Sequence, residues 1–272
     1  MTRPAAGRAR HPGERGFALL IVLWVLALIA LVATRVLANG RMETRLAANL
    51  RSAAEAEAAA DGAVFDTAFR VLQAGAPYRV ARSVQVMPLR GGGRATIAIE
   101  PEAGKINPNI ADVNLLAALF RACGADVATA AALTGAVDAW RTPNAPNAAV
   151  AGTYAAAGLD YGPPGAPFES LDELGLIPGM PPALLACMLP RLSLFQPDDP
   201  DPAVADPLVL AAMHDSGSAD SSEADSQYVT VTITATATLA GGARFTRHAV
   251  VGIGPNATGA WYRVLAWDAP PP

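Results

Sequence analysis

The sequence holds few side chains whose types and spacing could carry out catalysis. Its three histidines lie far apart, so no two have the spacing of a metal-binding pair. Neither cysteine has a histidine in a local nucleophile signature, and no Gly-x-Ser-x-Gly motif occurs. Gly252-Ile253-Gly254 meets Pro255 instead of a helix, which disfavours a dinucleotide loop. The sequence therefore predicts a protein that is not an enzyme; a hydrolase, the remaining catalytic alternative, would require a cleft of converging titratable groups.

Cys123 and Cys187 are the only cysteines, and each lies on a predicted helix of the same region. In an oxidising compartment they could close one disulfide. As free thiols they would pack as small buried hydrophobes. Both interpretations stay open, because a sequence does not give the distance between two Cα atoms.

The elements that must position these residues begin with a long helix. Residues 16–34 form an uncharged run of 19 residues between Arg15 and Arg35. At about 1.5 Å per residue, this run approaches the thickness of a bilayer's hydrocarbon core, about 30 Å. Apolar residues then recur at helical spacing to Leu72, with no proline before Pro77. The pattern predicts one helix over residues 17–72 that is transmembrane over 17–34 and amphipathic beyond.

Charge is distributed unevenly along the chain. Four arginines precede the apolar run and are opposed by Glu14 alone, which predicts a cytoplasmic N-terminus with the bulk of the chain outside the cytoplasm. Residues 101–225 hold four basic and sixteen acidic side chains, a balance of −12 in a chain of net charge −4. Such an acidic region repels phosphate, so we expect no nucleic acid among its partners.

Strands and helices are predicted in separate parts of the chain. Glycine turns and alternating apolar residues predict strands at 83–89, 94–100, 228–239, 245–253 and 262–267. Helices are predicted between the second and third strands, at 112–122, 127–140, 170–174, 182–192 and 203–214. The expected fold class is α+β, with an antiparallel sheet assembled from both sides of an all-helical insert. We expect this sheet to cover the helical stripe of Phe65, Phe69 and Leu72.

The N-terminal region resembles type IV pilins and the pseudopilins of type II secretion. A basic leader ends at Arg15-Gly16, and Phe17 opens an apolar helix that continues into an amphipathic one. The resemblance implies a leader over residues 1–16, cleavage by the prepilin peptidase between Gly16 and Phe17, and methylation of Phe17. Most members carry Glu at the fifth mature position, where this chain has Ile21. The family's K subunit, a minor pseudopilin, is known for lacking this glutamate.

The middle of the chain resembles the helical insert of the pseudopilin K family. The matching motifs are Gly104-Lys105-Ile106-Asn107-x-Asn109, Val137-Asp138-x-Trp140-Arg141, and Pro167-Phe168-Glu169-Ser170-Leu171-Asp172-Glu173-Leu174 followed by Ile177-Pro178-Gly179-Met180. The resemblance implies a pilin-like α+β fold with a SAM-like helical domain spliced into it. The implied parts are a first β segment at 73–106, the SAM-like insert at 107–195, and a linker with the second β segment at 196–272.

The same resemblance implies a function and a set of partners. A minor pseudopilin of this family occupies the tip of the type II secretion pseudopilus and initiates filament assembly for protein export across the outer membrane. The implied partners are the minor pseudopilins I and J, other pseudopilins and the prepilin peptidase. The implied location is the bacterial inner membrane, with a single pass and a periplasmic bulk. We expect the partner contacts to involve Arg41, Arg45, Arg51, Phe65 and Phe69.

Some members of the family bind calcium through acidic residues in the loop after the Asp-x-Trp motif. In this chain that loop carries Asn144 and Asn147 where carboxylates are expected, and Asp160 and Glu169 remain as weak candidates. Calcium takes six to eight oxygen ligands, so two carboxylates do not predict a convincing site. We expect no other cofactor.

Residues 170–180 also have the form of a helix-hairpin-helix module. Such a module presents backbone N–H groups to a DNA phosphate, and a membrane-anchored receptor for DNA uptake could carry one. In this chain Asp172 and Glu173 precede the turn, whereas Pro181 and Pro182 follow it and remove two N–H donors. The DNA-uptake receptor is therefore the alternative function, and the turn is interpreted as architectural.

Overall fold

The computed structural model describes residues 14–73, 80–143, 148–218, 229–254 and 261–270 of the 272-residue chain. The sequence-based predictions that fall on residues 1–13 and 144–147 lie outside these ranges. A long helix is followed by two strands, a group of helices and three more strands. In chain order these elements are α1 Glu14–Gln73, β1 Ser83–Pro88, β2 Gly93–Pro101, α2 Val113–Ala122, α3 Val127–Arg141, α4 Ala148–Ala156, α5 Pro182–Met188, α6 Pro207–Ser216, β3 Val229–Leu239, β4 Arg244–Ile253 and β5 Tyr262–Asp268. Two 3₁₀ helices, Leu171–Leu176 and Leu189–Arg191, flank α5.

The chain divides into two units, residues 1–55 and residues 56–272. In the first unit the described residues form the N-terminal part of α1, whose large apolar side chains from Phe17 to Val32 are exposed. Within the described ranges, no helix meets the length and hydropathy needed to cross a bilayer. Beyond the apolar stretch, Arg51 Nε donates to Glu55 Oε1 at 2.8 Å across one helical turn.

The second unit contains one five-stranded antiparallel sheet in the order β1-β2-β3-β4-β5. Strands β2 and β3 are neighbours in the sheet although the helical segment separates them in the chain, and Ile99 pairs in register with Ile233. The next strand continues the row, because Ile233 also pairs with Ala249. The predicted α+β class is thus confirmed, and the sheet is assembled from both sides of the insert.

The C-terminal turns of α1 pack on this sheet through small residues. Ala60, Ala63, Val64 and Ala68 are buried and lie over Ile97, Ile233 and other apolar residues of the central strands. Of the predicted stripe, Leu72 packs partly buried against this core, whereas the prediction is wrong for Phe65 and Phe69, since these side chains are 46% and 55% exposed. The packed stripe is rotated by about one residue, or 100°, from the predicted one. Alanine side chains allow the helix to approach the isoleucines closely, whereas phenylalanine in that stripe would hold it away.

A second core lies within the helical segment between β2 and β3, which we call the helical lobe. Helix α2 packs against α3, α5 and α6, and its Leu115, Leu116, Leu119 and Phe120 are fully buried. Aspartate side chains cap the N-termini of α2 and α3. Asp112 accepts a hydrogen bond from Asn114 N at 2.7 Å, and Asp126 accepts one from Thr129 N at 2.9 Å.

Candidate partner-binding surface

Arg247 of β4 joins α1 to the sheet. Its Nε donates to Asp61 Oδ1 at 2.6 Å, and its Nη2 donates to Glu57 Oε1 at 2.7 Å. The guanidinium also lies 4.9 Å from the ring centre of Phe245 and 5.1 Å from that of Trp267. These contacts fix the rotation of the helix on the sheet, because Glu57 and Asp61 lie one turn apart on a single helix face.

The position of Arg247 requires these partners. Its side chain is 9% exposed, and a buried charge is costly unless it is paired and hydrogen-bonded. The hydrogen bond to Asp61 raises the pKa of Arg247 further above its ordinary value, against the opposing effect of burial. The guanidinium is therefore a permanent cation at the helix–sheet contact.

An exposed aromatic surface lies beside this contact, and we call it the aromatic flank; it consists of Phe65, Phe69, Tyr262, Val264 and Trp267. The ring of Phe65 stacks on that of Trp267 with centroids 5.1 Å apart. Register with Ile253 and Val251 puts Tyr262 and Val264 on the helix-bearing face of edge strand β5. Phe65, Phe69, Tyr262 and Val264 are still 38–55% exposed, so Trp267 covers this side of the helix only in part. Exposed clusters of large apolar side chains commonly mark protein-binding surfaces.

The other residues predicted to contact partners lie in the first unit. Arg45 and Arg51 are exposed on α1, and Arg51 pairs with Glu55. Arg41 belongs to the same helix, although its side chain lies outside the described residues. At the predicted processing site, Gly16 and Phe17 both belong to the first turn of α1, and Phe17 is 70% exposed.

The entry of the helical lobe is joined to the sheet by a buried polar group. Glu102 is 2% exposed, and its Oε1 accepts hydrogen bonds from Lys105 Nζ at 2.7 Å and from Thr232 Oγ1 at 2.6 Å. Lys105 is itself only 15% exposed. Gly104 has no room for a side chain, since a Cβ there would lie 2.5 Å from the carbonyl oxygen of Val204. Glu102 therefore attaches the start of the lobe to the sheet through Thr232, and close backbone packing holds Gly104 against Val204 near the end of the lobe.

The two asparagines of the first motif, Asn107 and Asn109, connect distant parts of the lobe. Asn107 Nδ2 donates to Gln196 O at 2.7 Å, which ties the start of the lobe to its end. Asn109 and Phe168 exchange two hydrogen bonds, because Asn109 Oδ1 accepts from Phe168 N at 2.7 Å and Asn109 Nδ2 donates to Phe168 O at 3.0 Å. Both asparagines are thus structural.

The second and third motifs meet around Trp140. Its Nε1 donates to Glu173 Oε2 at 3.1 Å, and its ring stacks on Phe168 with centroids 5.7 Å apart. Glu173 also completes a capping box with Ser170, accepting from Ser170 N at 2.8 Å. Arg141 donates to the carbonyl oxygens of Pro108 and Ala111. The motif residues of the family therefore form one network that holds the lobe together.

The two cysteines cross-link two helices of the lobe. A disulfide joins Cys123, at the end of α2, to Cys187 of α5, with Cα atoms 5.9 Å apart. Next to it, Arg191 Nε donates to Asp206 Oδ1 at 2.8 Å, and Asp206 also caps α6. Burial opposes ionisation of Asp206, but the hydrogen bonds from Leu208 N and Arg191 outweigh it and hold the pKa of Asp206 below its ordinary value.

The helix-hairpin-helix alternative gains no support from this geometry. The segment before the turn is a 3₁₀ helix, Leu171–Leu176, and the side chain of Glu173 is already bonded within the lobe. Gly179 adopts a φ of +80°, which serves the tight turn into α5. Acidic side chains at the turn oppose the approach of a phosphate.

The two calcium candidates, Asp160 and Glu169, share no hydrogen-bond partner and belong to no cluster of acidic side chains that could hold a metal in the described part of the chain. Asp160 and Glu169 are both exposed, and the N–H of Glu169 donates to Glu173. Within the described ranges, no group of three or more histidine, cysteine or acidic side chains is arranged to hold a metal.

Two features are not predicted from the sequence: the contact of Arg247 with Glu57 and Asp61, and helix α4. A signal for the Arg247 contact is present in the sequence, because Arg247 interrupts the otherwise apolar alternation of Phe245, Ala249, Val251 and Ile253. Glu57 and Asp61 likewise lie one turn apart in an alanine-rich helix. Helix α4 has no apolar stripe and follows a stretch of sequence rich in asparagine and proline, so nothing in its pattern predicts a helix.

Comparisons with known proteins agree with this geometry. Residues 98–198 match the family model described as "Type II secretion system (T2SS), protein K". A chain of the crystal structure of the GspK-GspI-GspJ complex from the enterotoxigenic Escherichia coli type 2 secretion system is similar in fold, with a TM-score of 0.56 and 14% identity over 86% of this chain and 100% of that chain. No curated protein sequence matches the chain. The residues of the motif network lie within the stretch that matches this family, and the described fold is similar to that of the solved chain.

Proposed function

We propose that this chain is the minor pseudopilin at the tip of the type II secretion pseudopilus, where it initiates filament assembly for protein export across the outer membrane. The role is mechanical and uses neither catalysis nor a cofactor. The observation that carries the proposal is the helical lobe. It lies between β2 and β3 in the chain, and the buried Glu102–Lys105–Thr232 group attaches it to the sheet. A lobe attached so firmly moves with the sheet and would obstruct a further subunit above it, which suits a terminal position.

Anchoring belongs to the same proposal. The uncharged run of residues 16–34 supports a single pass through the inner membrane, with the N-terminus in the cytoplasm and the bulk in the periplasm. We expect the prepilin peptidase to remove residues 1–16 and methylate Phe17. Mass spectrometry of the mature chain tests this step, because a chain that begins at Met1 or near Arg35 would contradict it.

The proposed partners are the minor pseudopilins I and J. The similar solved structure is a complex of K, I and J proteins, and the aromatic flank offers this chain a surface for such partners. Phe65 and Phe69 would provide its apolar contacts. Arg41, Arg45 and Arg51 would add charged contacts along the preceding turns of α1.

Co-purification of the full chain with I and J tests the assembly role. Phe69→Ser removes a side chain that is 55% exposed, and we expect it to weaken recovery of the complex at least tenfold. Val127→Ser is the matched control, since Val127 is 72% exposed on the helical lobe and lies outside the flank. Equal recovery of the two variants would contradict this surface, and failure of the unmodified chain to bind I or J would contradict the proposed role itself.

A further inference from the structure

The sheet has a second face, opposite α1, which we call the outer face. Strand alternation and register set Thr96, Thr236 and Thr246 side by side across β2, β3 and β4, and the hydroxyls of Thr236 and Thr246 are 3.0 Å apart. Towards the helical lobe this face is covered, since Thr230 and Thr232 are 3% and 7% exposed. Towards the two hairpin turns Thr96, Thr236 and Thr246 are half-buried, so the outer face is open at that end.

Three arginines surround the open end. Arg94 and Arg244 both pair in register with Thr238, so their backbones lie about 10 Å apart on either side of it. Arg90 lies in the adjacent turn. This turn packs closely on β3, since a Cβ added to Gly93 would lie only 2.3 Å from the carbonyl oxygen of Thr238. All three side chains are exposed.

The three arginines at the open end of the outer face form no ion pair with the described residues, unlike several other arginines of the second unit. Arg141, Arg191 and Arg247 each pair with a carboxylate, whereas none of the three at the hairpin turns has an ion-pair partner in the described part of the chain. Asp268 is on the same face by its register with His248, four residues along β4 from Arg244. The hairpin end is therefore locally cationic in a chain of net charge −4.

Exposed apolar side chains continue the same face onto edge strand β1. Val84 pairs with Ala98 and Val86 pairs with Thr96, so both valines project from the outer face. They are 69% and 65% exposed. Valines, threonine hydroxyls and unpaired guanidiniums thus form one surface over four strands.

We propose that the outer face binds a protein whose contact surface is apolar where it meets Val84 and Val86 and acidic where it meets Arg90, Arg94 and Arg244. Guanidiniums recognise carboxylates through paired hydrogen bonds, which the free arginines can supply. A phosphate ion or lipid headgroup would use the arginines but leave the two valines and the threonine row without a role. An acidic protein surface uses all three. The site lies on the opposite side of the sheet from the aromatic flank and does not depend on the proposed function.

The probe is a fluorescent 12-residue peptide of alternating glutamate and valine, measured by anisotropy with the full chain in zwitterionic nanodiscs. We expect it to bind at least tenfold more tightly than the same peptide with glutamine for glutamate. Arg94→Glu combined with Arg244→Glu should remove most of this difference, and Val84→Ser combined with Val86→Ser should weaken binding about fivefold. Arg263→Glu is the matched control, because Arg263 pairs with Gly252 at the other end of β4 and is exposed.

Equal binding of the two peptides, or an equal effect of Arg263→Glu and the paired arginine variant, would overturn the proposal. So would displacement of the peptide by inorganic phosphate or phosphatidylglycerol vesicles with the valine variant unaffected, which would assign the site to an anion or a lipid. Self-association of the unmodified chain that the arginine variant abolishes would identify a second copy as the occupant and likewise overturn it. Unchanged thermal midpoints show that the variants fold.

Discussion

Arg247 Nε lies 2.6 Å from Asp61 Oδ1, although the two residues are 186 positions apart in the sequence. This contact connects the fourth strand of the sheet to the helix that precedes the whole sheet. It also places the aromatic flank, since Trp267 lies under the same guanidinium and against Phe65. The buried cation therefore acts together with the alanine packing of α1 in setting which helix side chains remain exposed.

Replacing Arg247 with methionine should destabilise the second unit by about 2 kcal/mol. This value lies between those for exposed and fully buried ion pairs, because the partly exposed carboxylates of Glu57 and Asp61 can be hydrated once the guanidinium is gone. The free energy of unfolding in denaturant, measured on the full chain in detergent, provides the value. Arg51→Met is the control, as the Arg51–Glu55 pair is exposed and should contribute less than about 1 kcal/mol. Equal effects of the two substitutions would show that burial of Arg247 has no energetic importance.

Replacing Glu173 with alanine should cost about 2–3 kcal/mol, because the change removes the capping box and leaves the Trp140 N–H without its acceptor. Trp140→Phe removes only one of these contacts. A double-mutant cycle on unfolding free energies should therefore show a coupling of about 1 kcal/mol between the two positions. Purely additive effects would mean that the hydrogen bond between them contributes nothing.

Local patterns were sufficient for much of the fold. The triple glycine at 91–93 predicted the first hairpin, and all three residues adopt positive φ values in the turn. The helices predicted at 112–122 and 127–140 correspond to α2 and α3, each of which begins after an aspartate N-cap. The alternating threonines of β3 likewise marked a strand with one apolar face.

The features that escaped prediction depend on contacts between distant residues. Helical periodicity shows that α1 has an apolar side, but both the phenylalanines and the alanines fit that period. Only the packing of Ala63 and Val64 against the sheet selects between them. The motif residues Asn107, Trp140 and Glu173 were assigned to the family from sequence, whereas their mutual contacts became evident only in the folded lobe.

Reduction of the Cys123–Cys187 disulfide should destabilise the helical lobe. The bond closes a loop between cysteines 64 positions apart, for which the loss of unfolded-chain entropy predicts about 2–4 kcal/mol of stabilisation. Hydrogen exchange of the full chain, with and without reductant, should show faster exchange in α2 and α5 and little change in β3 and β4. Uniform acceleration over lobe and sheet would indicate that the two cores unfold together.

Stability should depend on pH through Asp206. Its pKa lies below the ordinary value in the folded chain, so its contribution is fully present above the unfolded pKa of about 3.9 and is lost as the pH falls through the folded pKa. Asp206→Asn keeps a capping side chain but removes the charge that faces Arg191. The difference in unfolding free energy between the unmodified chain and this variant should therefore be largest at pH 7 and shrink below pH ~4. A difference that stays constant down to pH ~2 would show that Asp206 acts through its cap alone, because only the ion pair requires an ionised carboxylate.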